Sequence, residues 1–191
     1  MNLVERAKHI LLTPRPEWEV IDGETTTAAA LYTGYVIPLA AIGPIARVIG
    51  YSVLGVQFGT GMYRVPVGAA ITSAVVMYVL SLAGVYVLAL IIDGLAPTFG
   101  GTKNQIQALK VAAYSSTASW VAGVFSILPG LRALTLLGFY SIYVLYLGLP
   151  VLMKAPAEKA GAYTAIVIVA AIVLFALVTM LAGTFAATAM G

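Results

Sequence analysis

The sequence predicts an all-α integral membrane protein, a bundle of five transmembrane helices preceded by a short N-terminal amphipathic surface helix. Three observations carry this expectation. Hydrophobic residues make up 61% of the 191 and charged residues only 9%, against about 25% charged in an ordinary soluble domain; the mean hydropathy is +1.01. The apolar residues fall in five continuous runs, each longer than the roughly 20 residues that cross a bilayer core at about 1.5 Å per residue. None of the runs shows the period-two alternation of a membrane barrel, so helices, which satisfy their backbone polar groups internally, are the spanning unit.

Residues 1–12, MNLVERAKHILL, place Leu3, Val4, Ala7, Ile10 and Leu11 at helical spacing, with Asn2, Glu5, Arg6 and His9 on the other side. This predicts a short helix on the membrane surface, too charged to be a cleavable signal peptide and therefore retained. In TPRPEWEVIDGETTT, Pro14 and Pro16 end that helix, Trp18 is expected at headgroup depth, and the acidic residues Glu17, Glu19, Asp22 and Glu24 read as a solvated linker. Residues 1–28 form a cytoplasmic helix and linker on this reading, and 29–191 form the membrane domain.

The first span, 29–50, contains Gly34, Pro38, Gly43 and Pro44. Two prolines predict a broken helix whose freed carbonyls need partners from neighbouring helices or water. The second, 67–92, is the longest and stops at Asp93-Gly94; the third, 108–128, and the fourth, 133–153, are joined only around Pro129-Gly130 and form a tight antiparallel hairpin. The fifth, 163–187, is nearly free of polar residues. With five crossings, Arg6, Lys8, Arg15, Lys103, Lys110, Lys154 and Lys159 fall on one side and only Arg47, Arg64 and Arg132 on the other. The excess of positive residues puts the N-terminus in the cytoplasm and the C-terminus outside.

Several function classes drop out. Without cysteine there is no thiolate metal site or cysteine nucleophile. His9 is the sole histidine and has no Ser/His/Asp set or metal-ligand spacing around it, and Gly100-Gly101 before Lys103 lacks the rest of a phosphate-binding loop. The net charge of +3 is scattered singly at the ends of apolar runs, which argues against nucleic acid as a partner. The charged residues all fall at or near span ends, Arg47 deepest, so no intramembrane proton relay is expected. No enzyme activity, catalytic residue, metal or cofactor is expected.

What remains is packing and surface. Ser115, Ser119 and Gly123 fall at i, i+4 and i+8, as do Gly183, Ala187 and Gly191, and such small-residue faces serve close packing or self-association into a homo-oligomer. Tyr140, Tyr143 and Tyr146 climb the fourth span in steps of three. Together with Pro38, Pro44, Ser115 and Ser119 they are candidates to line a cavity, or else they pack with their hydroxyls bonded to neighbouring helices. Asp93, Lys103, Asn104, Lys154, Glu158 and Lys159 form the candidate docking surface on the cytoplasmic loops. Membrane lipids and another membrane or cytoplasmic protein are the expected partners of a non-enzymatic scaffold or adaptor. The alternative is a small channel or transporter whose path is lined by the broken first span and the tyrosines of the fourth.

The stretch from Ala96 to Thr164 carries APTFGGTKNQIQALKVAAYSSTASWVAGVFSILPGL and then YSIYVLYLGLPVLMKAPAEKAGAYT. It resembles the Yip domain family, small membrane proteins named for interacting with Ypt/Rab GTPases, and specifically its bacterial branch. The Pro14 to Trp18 entry and the Gly43-Pro44 pair look like the same family's arrangement. The resemblance implies five spans, a cytoplasmic N-terminus and, for the bacterial branch, the cytoplasmic (inner) membrane, with no settled activity. Eukaryotic members are associated with vesicle traffic and membrane shape, and have Asp-Leu-Tyr-Gly-Pro where this chain has Ala40-Ala41-Ile42-Gly43-Pro44. That departure and the short N-terminal region argue against a GTPase partner here.

Overall fold

Two amphipathic helices open the chain and lie across one end of a bundle of longer apolar helices. The computed structural model describes residues 2–58 and 61–188. Helix α1 (Leu3–Leu12) starts with a capping box in which the Asn2 side chain accepts from the Glu5 amide at 2.8 Å. Helix α2 (Pro14–Gly23) follows after one residue, with its prolines in the first turn, where a missing N–H costs nothing. Residues 14–23 are therefore helix and not linker. Pro14, Glu17, Trp18 and Ile21 recur at i, i+3, i+4 and i+7 and are the buried face of that helix.

Trp18 is not at headgroup depth but fully buried against helix α9 (Tyr140–Met153). Its indole N–H donates to the Val144 carbonyl at 3.1 Å, and its ring fills a notch left by Gly148, where an added Cβ would come within 2.6 Å of Cζ2. Burying the indole with its one donor satisfied avoids the cost of an orphaned polar group and gains a large apolar contact.

Four helical stretches among the described residues are long and apolar enough to cross a membrane: Ala28–Leu54, Val67–Phe99, Gly130–Met153 and Ala157–Met180. The first is broken as its prolines require. It runs as α3 (Ala28–Leu31), a π-turn at Tyr32–Val36, α4 (Ile37–Ala40), α5 (Ile42–Val48) and a second π-turn at Ile49–Leu54. Pro38 cannot donate, and the wider i to i+5 register just before it, with the Ile37 amide on the Tyr32 carbonyl, absorbs the mismatch. At the break after α4 the Ile37 carbonyl takes the Tyr78 hydroxyl at 2.8 Å, while the Tyr32 hydroxyl reaches the Leu82 carbonyl at 2.8 Å. A two-stranded hairpin, β1 (Val56–Phe58) with β2 (Gly61–Tyr63), then leads into α6 (Val67–Leu95). This helix runs through Asp93-Gly94 instead of stopping there. A 3₁₀ turn at Ala96–Phe99 and left-handed Gly100, with φ +76°, end the run.

The expected third span, 108–128, is not one continuous helix. It forms α7 (Gln105–Ser115), α8 (Thr117–Ala122) and a 3₁₀ turn at Gly123–Ile127, interrupted at Ser116. Ser116 Oγ bonds back to the Ala112 carbonyl at 2.8 Å and Thr117 Oγ1 to the Tyr114 carbonyl at 2.7 Å, the local competition by which hydroxyl residues bend helices. Every residue from Ala108 to Ser115 is buried. The segment tracks the first stretch along its length: Tyr35 bonds Thr117 at 2.7 Å, a Cβ on Gly123 would lie 2.9 Å from Gly43 Cα, and one on Gly50 would overlap the Ser126 carbonyl. Ser119 and Gly123 thus sit where backbones come close, Ser119 Cα lying 3.3 Å from a Cβ built on Gly138, while Ser115 is buried with its hydroxyl on the Ala112 carbonyl. The other small-residue face, Gly183, Ala187 and Gly191, lies outside the described side chains.

The expected fourth span, 133–153, begins as a 3₁₀ helix at Pro129–Phe139 and continues as α9, and α10 (Ala157–Thr188) closes the bundle against α6. One hydrophobic core unites Ile10, Trp18, Tyr35, Ile92, Leu109 and Tyr163 from six of these elements.

The Trp18 notch makes a direct test. Gly148→Ala should lower stability by about 1–3 kcal/mol through overpacking, and Trp18→Ala by about 3–5 kcal/mol. Gly161→Ala, exposed in α10 with open space around it, should raise stability by about 0.5–1 kcal/mol through helix propensity alone; thermal unfolding in detergent reads all three.

Candidate functional site

The polar side chains of this apolar chain gather where α1 and α2 meet α7. Arg6, placed by its helical position among the solvated residues, is buried instead. One guanidinium nitrogen pairs with buried Glu17 and another with Glu24, and its Cζ lies 5.6 Å from the Tyr114 ring centroid. A fork of five donors facing two carboxylates is the geometry that can offset the desolvation of a buried guanidinium. His9 Nδ1 lies 3.3 Å from the second oxygen of Glu17, so the sole histidine has a partner too. Tyr114 stands edge-on to Tyr35 at 4.6 Å between centroids and to Trp18 at 6.2 Å, joining the ion cluster to the core.

Lys110 is the second departure from the sequence expectation, a buried lysine two turns into α7. Its ammonium donates to the Ile21 carbonyl at 2.8 Å and also to the Glu24 carbonyl, where α2 ends. A cation at a helix C-terminus meets last-turn carbonyls that keep a lone pair to offer, as Ile21 does beside its bond from the Glu24 amide, together with the negative end of the helix dipole. Gln107 Nε2 donates to Asp22 Oδ1 at 3.1 Å, and Lys154 reaches the other Asp22 oxygen at 2.6 Å. Three side chains, two from α7 and one from the end of α9, therefore grip the end of α2. The signal available in the sequence was Glu17 on the same face as Trp18 and Ile21, since a carboxylate on an apolar stripe demands a buried cation.

The residues picked out as a docking surface divide. The loop after α6 and the loop before α10 are joined: the Thr102 amide donates to the Met153 carbonyl at 2.8 Å, and a Cβ on Gly101 would press on that same carbonyl at 2.6 Å. Lys103, Glu158 and Lys159 are exposed on this joined surface, with Lys159 Nζ close to Gly100. Asn104 is exposed but caps α7, its side chain accepting from the Gln107 amide at 3.1 Å. Lys154, in the left-handed conformation at φ 55°, spends its charge on Asp22. Asp93 is half-buried, with one carboxylate oxygen enclosed and unpartnered among the described residues.

The residues picked out as cavity-lining divide as well. A cavity of about 850 Å³ opens between the first stretch, α6, the 108–128 segment and the start of the Pro129–Phe139 helix. Pro44 and Ser119 line it; Pro38, Ser115, Tyr140, Tyr143 and Tyr146 do not. Ser115 is buried within the bundle, and Tyr143 and Tyr146 point outward because Val144, Leu145 and Gly148 take the inner face of α9. Two steps of three cover about 120° of arc on a helix of 3.6 residues per turn, and on α9 the Tyr143 to Tyr146 part of that arc faces away from the core. Ser119 Oγ meets Ser141 Oγ at 2.9 Å and the Gly138 carbonyl at 3.1 Å, bridging α8 to the next segment.

These features define an all-α membrane protein whose N-terminal helix pair is locked onto one end of its bundle by buried ion pairs and a tryptophan. A profile of the Yip1 domain matches residues 8–180, and the chain belongs to the Yip1 domain family. It is similar to the protein named Inner membrane protein YohC in two strains of Escherichia coli, at 30% identity over 151 residues covering 76% of this chain and 77% of the relative in each case. No solved structure gives a significant match. The resemblance seen from Ala96 to Thr164 thus extends over nearly the whole chain.

The ion cluster predicts a nonadditive series. Arg6→Met should cost about 3–5 kcal/mol, because it strands Glu17 in the interior. Adding Glu17→Gln to it should recover part of that loss, a coupling that thermal unfolding of the single and double variants measures.

Proposed function

We propose that this chain is a non-enzymatic scaffold or adaptor of the bacterial inner membrane, crossing five times with its N-terminus in the cytoplasm and its C-terminus outside. Five crossings are supported by the order in which the 108–128 segment meets the first stretch, Tyr35 with Thr117, Gly43 with Gly123 and Gly50 with Ser126. Such a parallel course carries both segments from the α1–α2 end to the hairpin end. The inner membrane is supported by the similarity to the Escherichia coli protein of that name, and the orientation by the seven-to-three distribution of Lys and Arg.

The observation that carries the adaptor reading is the joined surface of the two loops. Lys103, Glu158 and Lys159 stand exposed on backbone held by the Thr102 to Met153 bond, adjoining the α2 end that Lys110, Gln107 and Lys154 fix in place. A rigid, charged, solvent-facing patch on an otherwise apolar protein suits a partner with complementary charges. Lys154 and Asn104 support this surface from within through Asp22 and the α7 cap.

The runner-up, a solute path, keeps Pro44 and Ser119 as cavity residues but loses the tyrosines of α9. Sealed liposomes carrying pure protein should therefore stay impermeable to small ions and solutes. Lys103→Ala with Lys159→Ala should release a crosslinked partner from intact cells while thermal unfolding stays unchanged; retention of that partner counts against the adaptor. A C-terminal reporter should be active only outside the cytoplasm, and a cytoplasmic signal would remove one crossing.

A further inference from the structure

The seven carboxylates of this chain are Glu5, Glu17, Glu19, Asp22, Glu24, Asp93 and Glu158, and none lies within 25–92 or 94–157. All of them therefore belong to the α1–α2 end. Arg47 and Arg132, toward the hairpin end, have no acidic side chain to pair with. Both line the cavity of about 850 Å³.

Arg132 is the more demanding of the two. Its Nε and Nη2 are enclosed and have no hydrogen-bond partner among the described residues. Its Cζ lies 4.3 Å from the ring centroid of Tyr51, a contact that offsets charge but accepts no in-plane hydrogen bond. A guanidinium carries five donors and cannot shed its proton, so enclosed and unpaired donors call for an acceptor brought from outside the chain. Phosphate matches this fork, and two cations matched to one phosphate diester outweigh its charge.

The rest of the lining says what the anion is attached to. Val48, Ala70, Ala74, Met77 and Phe175 make an apolar wall that a free inorganic ion does not need. From Val67, the start of α6, to Met77 the helix rises about 15 Å, at about 1.5 Å per residue, room for part of an acyl chain. The volume lies within the range of about 300–1,000 Å³ in which proteins hold small ligands. Arginines at one end and apolar side chains below make an amphipathic slot.

We propose that this cavity binds one anionic phospholipid, its phosphate held by Arg132 and Arg47 and an acyl chain lying along α6. The site is separate from the loop surface at the other end and does not depend on the adaptor reading.

The test uses the full chain, released from detergent and titrated with phosphatidylglycerol or phosphatidylcholine under native mass spectrometry. One phosphatidylglycerol should bind about tenfold or more tightly than phosphatidylcholine, and Arg132→Gln should remove that preference. Ala74→Phe, which fills the apolar wall and leaves the charges alone, should weaken phosphatidylglycerol binding by a similar factor and decides the matter if Arg132→Gln fails to fold. Equal binding of the two lipids, or unchanged binding in Ala74→Phe, overturns the proposal. So does displacement of phosphatidylglycerol by millimolar inorganic phosphate, which would mark the occupant as a free anion.

Discussion

Charge in this protein is arranged by one constraint: all seven carboxylates lie at a single end, so buried cations can be neutralised from within only there. Arg6 is enclosed because Glu17 and Glu24 meet it, and Lys110 is enclosed because the carbonyls ending α2 and the nearby acids do. Each would be prohibitive alone in an apolar interior. At the hairpin end Nε and Nη2 of Arg132 have no partner among the described residues and sit beside an aromatic ring. One end is an internally closed electrostatic system and the other is open to an anion from elsewhere.

The closed end explains why two helices too short to persist alone become part of the bundle. Helices of ten residues are marginal in water. Here α2 is held by three agents of different kinds: the Trp18 ring in the Gly148 notch, the Arg6 to Glu17 pair, and the Lys110 ammonium on its last carbonyls. The apolar contact supplies the bulk of the stability, and the ion pairs fix orientation, since each is satisfied only in this pose. Because α7 and α9 both contact that helix end, the loops that follow and precede them inherit its position. The exposed surface carrying Lys103 and Lys159 is therefore rigid for reasons that begin in the core.

What the sequence disclosed follows the range of the forces involved. The continuous apolar runs, the broken first stretch and the tight connection at Pro129 were legible because lipid exposure, proline chemistry and helix length act locally along the chain. Trp18 was misplaced because an indole suits a headgroup layer and a core notch equally well; only Gly148, 130 residues further on, separates the two. Arg6 was set among solvated residues by its position on α1, yet its partners come from α2 and beyond. The tyrosine stripe misled because spacing shows which residues share a face but not which way it turns, and α9 turns Tyr143 and Tyr146 outward. Of the docking residues, Lys103, Glu158 and Lys159 were legible as exposed charges, whereas the work of Asn104 as a cap and of Lys154 as an anchor depends on geometry that the sequence does not hold.

The 108–128 segment shows why a hydropathy argument and a packing argument can part company within one bundle. A helix facing lipid must be apolar around its circumference, and α6 and α10, with long exposed rows of Val, Leu and Ile, are of that kind. A helix enclosed by other helices needs small side chains and satisfied hydroxyls instead, and this segment has them: Ala108, Ala112 and Ala113 in the core, Thr117 on Tyr35, Ser119 on Ser141, and Gly123 against Gly43. Those same hydroxyls bend it at Ser116, and the bend costs little because neighbouring helices, not lipid, surround the exposed backbone. The bundle is thus built around its least hydrophobic member. The cavity lies beside that member's last turns, lined by Ser119, Gly123 and Ser126 on one side and by Pro44, Arg47 and Tyr51 of the first stretch on the other.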